Sequence, residues 1–168
     1  MRAVLRVIDS VSEHLGSWGR WIVVALIAIT FWDVLLRYVF GHATMWAFET
    51  GMMMGGAIGA AGWAYAQKNG LHIRIDVIYT NLSPRAQAII NVIGTLILFL
   101  PLFVFLIITA GEWVIMSWAR HEVWQEGFWF PPAGPSRTLV LIGLVALFFQ
   151  VLASFYRDLY FLVKGTRP

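Results

Sequence analysis

The sequence predicts an all-α integral membrane protein, with four transmembrane helices preceded by an amphipathic helix at the membrane surface. Three observations carry this. Hydrophobic residues make up 60% of the 168 and charged residues only 12%. Mean hydropathy is +0.74, far from the averages of soluble domains. The apolar residues also fall in long runs. One span needs roughly 20 residues at about 1.5 Å each to cross about 30 Å of hydrocarbon, so the chain holds about four spans and has no room for a separate soluble domain. The formal charge of +3 is spread over ends and loops, so it reads as an orientation signal and not as a nucleic-acid patch. Cysteine is absent, which excludes disulfides and thiolate metal sites.

Residues 1–17 have a helical period. Val4, Ile8, Val11 and Leu15 share one face, with Arg2, Arg6, Asp9, Glu13 and His14 on the others, so this stretch is expected to lie flat on the membrane. The first span, 18–40, follows without a small-residue cleavage site and is expected to be retained. It ends in RYVFG at 37–41. Asp33 and Arg37 lie four apart on one helical face, and Glu49 opens the second span, 45–67. Because ionisable groups in a bilayer should be paired and face protein, Asp33, Arg37 and Glu49 are expected to form one charge cluster.

The second span places Gly51, Gly55, Gly59 and Gly62 on one face, with Gly56 beside them. Small residues at this spacing let backbones approach closely in lipid. Gly51, Gly55 and Gly59 are therefore a helix-packing face, directed either into the bundle or toward another subunit. In the next loop His72, Arg74 and Asp76 alternate with Leu71, Ile73, Ile75 and Val77, a two-residue period that suits an extended stretch at the interface. The third span, 84–118, opens with Ser83 as cap and Pro84 at the first helical position. Pro101 near its middle predicts a kink. Residues 119–136 form the one sizeable loop, acidic at Glu122 and Glu126 and aromatic at Trp124, Phe128, Trp129 and Phe130. They fit either the headgroup level or a docking surface. The fourth span, 137–160, carries one strongly polar interior residue, Gln150, expected to hydrogen-bond another helix.

Lys and Arg divide unequally between the two sides. Arg2, Arg6, Arg20, Lys68, Arg74, Arg85, Arg157, Lys164 and Arg167 fall on one side, and only Arg37, Arg120 and Arg137 on the other. The bias predicts both termini in the cytoplasm.

RYVFG at 37–41, the following Trp46 and Glu49, NGLHIRIDV at 69–77, and HEVW followed by FPPAGP before the last helix together resemble the small membrane subunit, of the DctQ type, of tripartite ATP-independent periplasmic (TRAP) transporters. The resemblance implies an importer of three parts in the bacterial inner membrane. A periplasmic substrate-binding protein captures an organic acid, a large TRAP membrane subunit moves it by a sodium-coupled elevator motion, and the small subunit accompanies the large one. It implies no cofactor, no enzymatic activity and no nucleic-acid partner. The residues agree on one point, since no helix is broken by adjacent glycine and proline to expose backbone for ion ligation. That favours a scaffold over a self-sufficient four-helix transporter. A membrane haem protein would need histidines facing one another inside the bilayer, whereas His14, His42, His72 and His121 fall at helix ends or beyond them.

Overall fold

The computed structural model describes residues 2–42, 44–71, 79 and 82–166. Regular structure among them is helical, apart from an isolated antiparallel bridge between Val123 and Pro132. Among the described residues there are four long helical rods: α1 (Arg2–Val39), α2 (Ala47–Lys68), α3 (Pro84–Ala119) and α4 (Gly134–Lys164). By length and hydropathy α1, α3 and α4 can cross a membrane. α2 has 22 residues, enough for a span in length, but its glycines add almost nothing to hydropathy and Glu49 subtracts from it.

The amphipathic N-terminal stretch is not a separate surface helix. It runs straight into the first span as one helix of 38 residues, about 57 Å long at 1.5 Å per residue. The reason lies in what its polar side meets. Ser12 Oγ donates to Gln150 Oε1 at 2.8 Å, Asp9 Oδ2 pairs with Arg157 at 2.6 Å, and Glu13 pairs with Lys68 at 2.7 Å. Partners on α2 and α4 thus take the place of headgroups. The glycines that could have broken the helix are packing points instead. A Cβ on Gly16 would come within 2.6 Å of the Tyr65 ring, and one on Gly19 within 3.5 Å of Ala61.

The core lies where α1, α2 and α4 meet, while α3 leans chiefly on α4. Apart from Leu147 and Val151 the buried apolar residues are alanines, with Ala60, Ala64 and Ala153 among them. Small side chains bring helix backbones close, which is the main attraction available between helices in lipid. At Gly143 of α4 the two helix backbones themselves come close, since an added Cβ would lie 2.6 Å from the Ala60 carbonyl oxygen.

α3 begins as its Ser-Pro pair predicts, with Ser83 Oγ accepting from Ala86 N–H at 3.3 Å. Near Pro101 the helix changes its hydrogen-bond pattern. One π-helical turn, Thr95–Phe99, precedes the proline, and Leu100 N–H reaches back to the Thr95 carbonyl. Proline lacks an N–H and crowds the carbonyl four residues before it, and a wider turn relieves both problems. Away from α4, α3 is bare: Ile97, Leu98, Phe105, Ile108 and Ile115 are all exposed.

Candidate functional site

The end of the bundle that carries the α1–α2 turn also carries the long loop between α3 and α4. Asp33 and Arg37 pair there as their spacing predicts, at 2.8 Å, with the Arg37 side chain 55% exposed. Asp33 Oδ1 has a second use, accepting from both the backbone N–H and the hydroxyl of Thr44. The aspartate therefore ties the turn back onto α1.

Glu49 is not a member of that pair, so the expected cluster of three is not formed. Its side chain points beneath the α3–α4 loop, where it is 3% exposed. Oε1 accepts from Trp129 N–H at 3.3 Å, and Oε2 is buried without a partner. The carboxylate rests on Gly127 so closely that any Cβ there would overlap it. Depth along neighbouring helices suggested the cluster; the direction of the Glu49 side chain around α2 decided against it.

The loop over Glu49 is firmly built. Its two strands close through Trp124 N–H to the Pro131 carbonyl and Ala133 N–H to the Glu122 carbonyl, each 2.9 Å. Glu122 pairs with Arg137 at the start of α4, and the Arg137 guanidinium lies 4.2 Å from the Trp113 ring centre. Trp124 Nε1 donates to Ser136 Oγ and Trp118 Nε1 to Thr138 Oγ1, each at 3.0 Å. Phe130 holds a left-handed backbone, φ 52°, strained for a bulky residue. The result is a rigid mount for exposed aromatics: Phe128 is 81% exposed, and Trp129 and Phe130 about half.

Sequence reasoning missed Gly127 and the Glu122–Arg137 pair. The lone glycine inside an otherwise bulky loop, EGFWF, was the available signal for the first. Nothing in the spacing of Glu122 and Arg137 announces the second.

The glycine face of α2 divides. Gly51 lies near Leu26 of α1, since a Cβ there would be 3.8 Å from Leu26 Cδ1, but at Gly55, Gly56, Gly59 and Gly62 an added Cβ would meet nothing within 4 Å. The bundle is closed by the opposite side of α2, through Ala60 and Ala64.

At the other end a polar network ties the helices together. Gln150, with no exposed surface, accepts from Ser12 and donates Nε2 to Asp9 Oδ1 at 3.1 Å. Asn91 of α3 donates to Asp158 Oδ2 of α4 at 2.9 Å and accepts from the Tyr79 hydroxyl at 3.1 Å. The expected loop motif of His72, Arg74 and Asp76 lies outside the described residues.

Residues 26–160 match the family model described as "Tripartite ATP-independent periplasmic transporters, DctQ component". No curated protein matches the chain, and no solved structure does. The match takes in the C-terminal part of the first helix from residue 26, the α1–α2 turn, Glu49, the loop above it and nearly all of the last helix. The chain belongs to the DctQ component family of TRAP transporters, and is a multi-pass membrane component of a transporter and not an enzyme.

Proposed function

We propose that this small subunit scaffolds the large TRAP membrane subunit while that subunit imports an organic acid, coupled to sodium and delivered by the periplasmic substrate-binding protein. In this reading both termini are cytoplasmic, α2 is the fourth span, and membrane lipid surrounds the faces that no subunit covers. The observation that carries it is the open glycine face of α2. The chain's own contacts use Ala60, Ala64, Gly143, Gly16 and Gly19, leaving room for an added Cβ at Gly55, Gly59 and Gly62, while Gly56 lines a cavity shared with α3 and α4. A small-residue face of low hydropathy is a poor surface for lipid and a good one for another helix. Gln150, the strongly polar residue deep within the last span, is already taken up by Ser12 and Asp9, which fits a rigid support better than a substrate path.

Gly55→Leu and Gly59→Leu test the proposal. Each added side chain points into open space, so the isolated subunit should fold normally, yet co-purification of the large subunit should fall sharply. Substrate capture by the periplasmic protein, which folds separately, should not change. Normal recovery of the large subunit with both variants would refute this choice of interface.

A further inference from the structure

Glu49 leaves a problem that the bundle does not solve for itself. Its carboxylate is almost fully buried, yet it has one hydrogen bond, from Trp129 N–H at 3.3 Å, and its Oε2 has none. An uncompensated buried charge is expensive and calls for a partner. Arg137 is not that partner. Its Nη1 pairs with Glu122, and its Nε, buried without a hydrogen bond, lies in the adjoining cavity beyond Met52, Met53 and Trp124 and makes no ion pair with Glu49. What Glu49 faces is a small cavity of about 70 Å³, lined by Met52, Met53, Trp124 and a second carboxylate, Glu126.

From this arrangement we infer that Glu49 and Glu126 bind a small hard cation of the calcium class in the cavity beneath the α3–α4 loop. Several features set the chemistry. The charged donors are two carboxylates, and oxygen donors select hard cations over soft ones. Two negative charges are neutralised by one divalent ion. A cavity of about 70 Å³ holds such an ion with about one or two waters, each taking about 30 Å³. Magnesium is disfavoured because it demands near-ideal octahedral geometry and keeps several of its waters. Calcium tolerates irregular coordination, and water from the open side near the exposed Glu126 completes its shell. The bound ion would join α2, through Glu49, to the loop, through Glu126. It would thereby hold the exposed aromatics in place.

Trp124 supplies a direct test, because an indole lining the site can sensitise terbium, a luminescent substitute for calcium. The full chain, purified in detergent and stripped with chelator, is titrated with terbium and excited at its tryptophans. Sensitised emission should appear and be competed by calcium. In Glu126→Gln, which alters only an exposed side chain, apparent affinity should fall at least about ten-fold, the scale on which one group around a metal acts. Trp124→Phe separates the sensitiser from the site: emission should drop, while calcium still raises the thermal midpoint as in the parent. No calcium-competed emission at millimolar ion would overturn the inference. So would emission unchanged in Glu126→Gln, which would mean an adventitious ion only.

Discussion

Two glycines in adjacent helices should respond with opposite signs to the same substitution, and the structure supplies the working. In Gly143→Ala the new methyl would sit 2.6 Å from both the Cβ and the carbonyl oxygen of Ala60 and 2.8 Å from its carbonyl carbon. Comfortable carbon contacts lie at about 3.5–4.0 Å, so α2 and α4 must part by about 1 Å. The obstacle is backbone, which cannot rotate aside, and overpacking of this kind costs about 1–3 kcal/mol. In Gly59→Ala the methyl meets nothing within 4 Å. Both substitutions gain the same helix propensity, up to about 1 kcal/mol, so that gain cancels in the comparison. Gly143→Ala should therefore be less stable than Gly59→Ala by about 1–3 kcal/mol, with Gly59→Ala equal to or above the parent. Thermal unfolding of the two purified variants in one detergent, side by side, measures the difference. Equal midpoints, or a destabilised Gly59→Ala, would refute the assignment of inner and outer faces on α2.

Other expectations follow from single contacts. Gln150→Leu removes one bond to Ser12 and one to Asp9, but Ser12 keeps its bond to the Ile8 carbonyl and Asp9 keeps Arg157. Hydrogen bonds between membrane helices average about 0.6 and reach about 1.7 kcal/mol, so the loss should be about 1–3 kcal/mol. A neutral result in thermal unfolding would show that the network is not holding α1 to α4. Gly127→Ala must displace the Glu49 carboxylate and loosen the loop above it, at about 1–3 kcal/mol. Faster protease cleavage within 119–133 reads this out, and parental protection would count against the pinning role. Arg37→Ala should barely change stability, because an ion pair that is open on one side contributes little. Asp33→Ala should be the worse of the two, since it also frees Thr44 and the α1–α2 turn. Equal unfolding midpoints for these two variants would argue that the turn does not depend on Asp33.

Class, family and several local features were legible in the residues alone, because each depends on near neighbours or on composition. Hydropathy and run length mark long apolar helices, Ser83-Pro84 marks the start of α3, and Asp33 with Arg37 pair because a helix brings positions four apart together. The motif set of RYVFG, Glu49, NGLHIRIDV and FPPAGP pointed to the family that the comparison then showed. Tertiary structure alone decided the rest. Whether residues 2–17 lie on a membrane or join the first span depends on Gln150, Arg157 and Lys68, far away in sequence. Whether Glu49 joins Arg37 or pins the Gly127 loop depends on how α2 is rotated against α4, which Gly143 and Ala60 set. A helical period shows that a face exists, but only the packing of the other helices shows which face is used inside the bundle and which is left open.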